Sequence, residues 1–260
     1  MSERIRNAFK KSNAFIGFLT CGDPSVKKSL EFAERLIEGG IDLLEIGIPF
    51  SDPIAEGEVI QKANIRALSA GTRVEDSFTL AKEIRVRSGI PLVFLTYLNP
   101  VFAYGYDAFF KRCKDCGVDG VIIPDMPFEE QGEALPFADR HGADIISLVA
   151  PTSKRRVCEI AAKARGFLYV VSSMGVTGMR KEISTDLKSI ISEAKRVTDI
   201  PIAVGFGISS KEQAREISEL ADGVIIGSAI VKIIEKYGED AGKYLYEFAR
   251  EVSEEIKTRI

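Results

Sequence analysis

The sequence predicts an α/β fold: a (β/α)8 TIM barrel with an extra N-terminal helix and an extra helix after strand 2. Three observations carry this. Eight short apolar segments recur along the chain, most of them roughly 25–30 residues apart, as successive βα units require. The stretches between them are amphipathic and rich in Glu, Lys, Ala and Leu, as in SLEFAERLIEGG and KEQAREISELAD. The length of 260 residues matches one such barrel, which typically needs about 250.

In chain order, residues 3–11 read as a helix ahead of the first strand, placed to cap the lower end of a barrel. Strands one to four are AFIGFLTC from Ala14, IDLLEIGI from Ile41, IPLVFLTY from Ile90 and VDGVIIPD from Val118. Strands five to eight are ADIISLVA from Ala143, FLYVVSS from Phe167, IPIAVGFG from Ile200 and GVIIGSAI from Gly223. Their near-continuous apolar character suits strands covered on both faces. The connection after the second strand, residues 49–89, leaves room for the extra helix near 58–70. Gly40, Gly89, Gly117, Gly142 and Gly166 stand where helices should end. No linker rich in Pro, Gly or Ser divides the chain, so 1–260 is read as a single barrel domain. A doubly wound open sheet is the rival. No G-x-G-x-x-G follows the first strand, which weakens its dinucleotide-binding version.

Composition narrows the function. A net charge of −3 and a pI near 5.5 argue against nucleic acid as the main partner. No apolar signal region opens the chain and no segment approaches membrane-spanning length, so the expected compartment is the cytoplasm. Cys113 and Cys116 form a C-x-x-C inside a helical pattern, with no second Cys or His pair at zinc-like spacing, so reduced thiols and no metal are expected. The single histidine, His141, makes a Ser-His-Asp or Cys-His mechanism a poor fit.

In a barrel, chemistry gathers at the C-terminal ends of the strands. Two features fall on that rim. The first is a carboxylate pair in LLEIGIPFSDPIAEG: Glu45 within the second strand and Glu56 in the loop after it. Glu45 shares a strand face with Leu43 and Gly47, which points it into the barrel mouth. It reads either as a buried, satisfied structural acid or as a general acid/base whose pKa is raised by desolvation. The second feature is a run of glycines after strands six, seven and eight, including Gly178, Gly207 and Gly227 followed by Ser228. Glycine lets backbone N–H groups approach an anion, and the helix starts beyond add a favourable dipole, so this rim is expected to bind phosphate. Apolar walls for a flat aromatic ligand are available from Phe18, Leu95, Tyr97 and Phe206, with Tyr169 on strand six; each of these equally suits plain core packing.

The segments LLEIGIPFSDPIAEG, GFLTCGDP, LTYLNPVFAYG, YVVSSMGVTG, VGFGIS and IIGSAIV, in this order over nearly the whole chain, closely resemble those of the tryptophan synthase alpha chain family. The resemblance implies a barrel that cleaves indole-3-glycerol phosphate to indole and glyceraldehyde 3-phosphate. It implies a chain without cofactor or metal, partnered in an α2β2 tetramer by a beta chain that carries pyridoxal phosphate. By position, Glu45 matches the family's catalytic glutamate, Tyr169 the tyrosine near the glycerol chain, and Gly178, Gly207, Gly227 and Ser228 the phosphate-binding positions. Thr177 falls in the loop that in the family closes over substrate and contacts the second carboxylate.

That second carboxylate departs from the pattern. Glu56 occupies a position where the family has aspartate, paired with the indole N–H. The added methylene must be absorbed by folding back or by a displacement of about 1 Å, a scale that can cost about a hundredfold in rate. Two other readings stay open on residues alone: a phosphosugar epimerase or isomerase, disfavoured by the lack of a metal cluster, and a non-catalytic barrel that binds a ligand or partner.

Overall fold

The protein is described from a computed structural model, covering residues 2–10, 12–150, 154–172, 180–205, 207–208 and 210–257, with the side chains of 180–186 excepted. The strands are β1 (Ala14–Thr20), β2 (Leu43–Gly47), β3 (Leu92–Leu95), β4 (Gly120–Ile122), β5 (Asp144–Ile145), β6 (Leu148–Val149), β7 (Leu168–Val171), β8 (Ile202–Gly205) and β9 (Gly223–Ile226). They pair in parallel in the order β5-β4-β3-β2-β1-β9-β8-β7-β6. The two ends of that order, β5 and β6, are neighbouring pieces of the predicted fifth strand. Its lower part pairs with β4, where Ile146 N–H donates to Val121 O at 2.9 Å, and its upper part with β7, where Tyr169 N–H donates to Ser147 O at 3.0 Å. One stretch of chain thus serves both edges, and the sheet curls round into the predicted barrel.

Strand alternation produces two cores. Phe15, Leu19, Leu44, Ile46 and Phe94 face outward against the helices. Ile16, Leu43, Val93, Ile122, Ile146, Phe167, Ala203 and Ile225 fill the barrel interior. The helix before β1, α1 (Glu3–Ala8), sends Ile5 into that interior cluster, so it plugs the lower end. It stops at Ala8, short of the expected 11, because Phe9 turns in to pack on Phe167 with ring centroids 5.7 Å apart.

The flanking helices are α2 (Val26–Glu38), α3 (Glu58–Ser69), α4 (Val74–Arg87), α5 (Leu98–Tyr104), α6 (Tyr106–Cys116), α7 (Leu135–His141), α8 (Lys154–Ala161), α9 (Arg180–Lys195), α10 (Lys211–Ser218), α11 (Ser228–Tyr237) and α12 (Gly242–Lys257). The helix α3 lies where the long connection after β2 left room for it. Arg66 pins it with paired bonds of 2.8 Å to both oxygens of buried Asp23 in the β1–α2 loop. The short α5 was not anticipated. Pro100 sits in its first helical turn, where its missing N–H costs nothing, and Asp125 Oδ1 accepts from Leu98 N–H at 2.8 Å. Gly117 and Gly142 close α6 and α7 in the left-handed conformation, at φ +74° in both cases. Gly89 is not used that way: α4 ends at Arg87, and Ser88 is already extended.

Below the barrel, buried Asp119 accepts from Ser2 Oγ (2.7 Å), Arg4 (3.0 Å), Arg85 (2.9 Å) and Leu92 N–H (3.0 Å). One carboxylate therefore joins the N-terminal segment, α4 and the start of β3. Asp119→Ala removes the acceptor and leaves the half-buried Arg85 guanidinium without its counter-charge. The expected cost is about 3 kcal/mol, read as a lowered urea midpoint with an unchanged m-value.

Candidate active site

The upper end of the barrel opens into a cavity of about 480 Å3. Glu45 enters it from β2, where its neighbours in register are Phe18 on β1 and Val93 on β3. Its side chain follows the inward alternation of Leu43, one layer nearer the mouth, and is 1% exposed. Among the described residues, Glu45 Oε1 has no hydrogen-bond partner. The expected compensation by a partner is thus absent, and the acid compensates by holding its proton. Burial pushes its pKa up to about 8. At neutral pH it is a carboxylic acid in apolar surroundings, able to donate.

The second acid, Glu56, lies half-buried in the lining of the same cavity, in the segment between β2 and α3. Burial pushes it up to about 7, opposed by a 2.8 Å hydrogen bond that its Oε2 accepts from Asn64 Nδ2. The two acids of one short segment therefore differ in kind. One is buried and, among the described residues, without a hydrogen-bond partner; the other is hydrogen-bonded and close to half ionised near neutrality.

Phe18 and Leu95 line the cavity, joined in one apolar cluster by Ile60 of α3. Phe18 has room because of Gly47, while Gly227 stands at ordinary contact distance. A Cβ on Gly47 would lie 2.7 Å from its ring, and one on Gly227 would lie 3.4 Å away. Tyr169 also lines the cavity. Burial, and then the Glu45 carboxylate, hold its phenol well above the ordinary range, so it stays an O–H donor throughout the working pH. A Cβ on Gly205 would meet the Tyr169 ring at 2.8 Å, so this glycine makes the tyrosine's place. Gly207, Gly227 and Ser228 line the same cavity, with α11 beginning at Ser228 so that its first backbone N–H groups face this rim.

Tyr97 sits elsewhere than expected. It is 1% exposed and is not one of the cavity-lining residues: its ring stacks on Phe50 with centroids 5.1 Å apart, and its Oη accepts from Ala55 N–H at 3.1 Å. It supports the loop bearing Glu56 instead of forming a wall. Thr177, Gly178 and Phe206 lie outside the described residues.

The wall has members that sequence reasoning missed. Met126, Phe128 and Ile160 complete its apolar side, and Ser147 faces it from the break between β5 and β6. The position of MPF just past the fourth strand was a usable signal for the first two. Ile160 on α8 offered none. Among the described residues, no group of three His, Cys, Asp or Glu side chains comes together to hold a metal ion.

The comparisons with known proteins agree on one family. The family model described as "Tryptophan synthase alpha chain" matches residues 5–259. The tryptophan synthase alpha chain of Lacticaseibacillus casei is 45% identical over 252 residues, 97% of this chain and 95% of that one. That of Methanocaldococcus jannaschii is 45% identical over 93% of this chain and 85% of its own. Among solved structures, tryptophan synthase from Mycobacterium tuberculosis superposes with a TM-score of 0.89 at 35% identity, covering 99% of both chains. The tryptophan synthase complex of Pyrococcus furiosus gives a TM-score of 0.85 at 36% identity, covering 93% of this chain and 98% of that one.

Proposed function

The chain belongs to the tryptophan synthase alpha chain family, and from that premise we propose that Glu45 and Glu56 are the two working carboxyls of its reaction. It is a carbon–carbon lyase of tryptophan biosynthesis, cleaving indole-3-glycerol phosphate to indole and glyceraldehyde 3-phosphate. Its partner is the beta chain, in an α2β2 assembly, and pyridoxal phosphate belongs to that beta chain, the alpha chain carrying no cofactor. We read 1–260 as one barrel domain, supported by a family match that spans almost all of it. We place the protein in the cytoplasm, where its four free cysteines would remain reduced. Among the described residues, no helix is long and apolar enough to cross a membrane.

The observation that carries the catalytic reading is the protonated Glu45 in the cavity, its Oε1 without a hydrogen-bond partner among the described residues. Breaking the bond between indole C3 and the glycerol carbon requires a proton at C3 and the loss of one from the neighbouring hydroxyl. Glu45 gives its proton to C3, forming an indolenine cation. The carboxylate left behind takes the hydroxyl proton as that C–O becomes the aldehyde C=O. The C–C electron pair then returns to the ring, neutralising the cation and releasing indole. One proton enters and one leaves, so Glu45 ends as it began. Glu56, as carboxylate, accepts the indole N–H, whose charge grows in the indolenine. Tyr169 donates along the glycerol chain. The phosphate rests on backbone N–H groups around Gly207, Gly227 and Ser228, with Gly178 as a further contact expected from the resemblance, and Thr177 belongs to the loop expected to close over substrate.

Incubating the purified chain with indole-3-glycerol phosphate, alone and with beta chain, should release indole, followed chromatographically. No indole in either case would overturn this reading.

A further inference from the structure

A side chain that no motif singled out holds the acid that departs from the family's pattern. Asn64, in α3, is 4% exposed. Its Nδ2 donates to Glu56 Oε2 at 2.8 Å and to Ile60 O at 3.0 Å, while its Oδ1 accepts from Phe50 N–H at 3.0 Å. These partners settle which way the amide faces. Phe50 N–H can only donate and Ile60 C=O can only accept, so the NH2 group must be the side turned to Glu56. Both amide hydrogens and the carbonyl are engaged, and a flipped amide would lose every bond. Asn64 is therefore a fixed, desolvated donor aimed at one oxygen of Glu56.

The neighbouring anchors act on the backbone. Tyr97 Oη accepts from Ala55 N–H, and Gln61 Nε2 donates to Glu56 O at 2.8 Å. Among the described residues, Asn64 alone holds the carboxylate. The Tyr97 phenol faces it, with Asp125 beyond, and the other ionisable groups lining the cavity are Glu45, Tyr169 and Arg156, the last paired with Glu129. The cations of α3 are engaged elsewhere, Lys62 with Glu58 and Arg66 with Asp23 and Glu235.

We propose that Asn64 is a positioning residue for the cleavage reaction. It draws the Glu56 carboxylate back against α3, taking up the extra methylene of glutamate, and leaves the other oxygen free for the indole N–H. The inference rests on the role given to Glu56 above.

The test uses the full chain with its beta chain, carrying Asn64→Ala or Asn64→Asp, each also combined with Glu56→Gln. Each single variant should lower kcat about tenfold with a smaller change in KM. Each should also move the acidic limb of kcat/KM upward by about one pH unit, Asn64→Asp more than Asn64→Ala. In the Glu56→Gln background the further loss should fall within about twofold, because the carboxylate that Asn64 positions is already gone. Asn64→Asp is isosteric and keeps the bond from Phe50 N–H, so it supplies the answer if Asn64→Ala fails to fold. Equal losses in both backgrounds, or an unmoved acidic limb, would reduce Asn64 to a structural residue and overturn the proposal. If Glu56→Ala keeps full turnover, it is the reading of Glu56 that fails, a separate result from an Asn64 variant that is silent while Glu56→Ala is crippled.

Discussion

Glu45→Gln lowers the rate of indole release by a factor on the order of 10^4, with the fold and substrate binding retained. Glutamine fills the same volume, so the apolar cluster around the barrel mouth keeps its packing. What it lacks is a transferable proton, and the reaction needs that proton twice, once at carbon and once back from oxygen. A variant that cleaved the substrate at even a hundredth of the wild-type rate would remove Glu45 from the mechanism. The same pair of proteins reports on stability. Glu45 titrates at about 8 when folded against a reference value of 4.5. Between those values the unfolded chain has released the proton that the folded chain still holds. Stability from this group is therefore fully present below about pH 4.5 and is lost as pH rises towards 8. Relative to Glu45→Gln, the wild type should lose ground in urea melts taken from pH 5 to 9. A difference that stays flat with pH would mean that the buried acid does not hold its proton.

The second large effect is at Glu56. Glu56→Ala should reduce turnover by about two to three orders of magnitude, since the positive charge growing on the indole nitrogen loses its counter-charge in a dry site. Glu56→Asp, which restores the residue the family has here, should also slow this chain, by up to about a hundredfold. The shorter side chain still carries the charge but no longer spans from the loop to Asn64 and the cavity together. The pH profile separates the two acids. Activity requires Glu56 ionised and Glu45 protonated. The profile of kcat/KM should therefore rise through about 7 and fall through about 8, a narrow bell. Glu56→Gln should remove the rising limb and leave the falling one. A falling limb that disappears instead would reverse the two assignments.

Much of this was legible in the residues. Alternating burial is set by the strand's period of two, so the sequence placed Glu45 on the face of Leu43 and Gly47, and the structure finds it there. Apolar segments separated by amphipathic ones specify the order of strands and helices, and the parallel barrel follows from that order with little freedom. The sequence also set Gly207 and Gly227 on this rim, and both line the cavity.

Other features were set by contacts between segments remote in the chain. The fifth strand is divided because its lower and upper parts pair with different neighbours, β4 and β7. Tyr97 looked like a wall residue, yet Phe50 and the Ala55 N–H claim its ring and hydroxyl from another loop. Asn64 was invisible as a functional residue because its three partners converge on it only once α3 folds back over the β2 loop.

The sequence by itself determined the barrel, the mouth at its upper end and the acid buried there, since periodicity and burial are local consequences of residue type. Only the tertiary structure decided how the two acids differ. A pKa depends on what surrounds the group: burial is what raises Glu45, while Glu56 also meets a fixed amide donor brought to it by a helix.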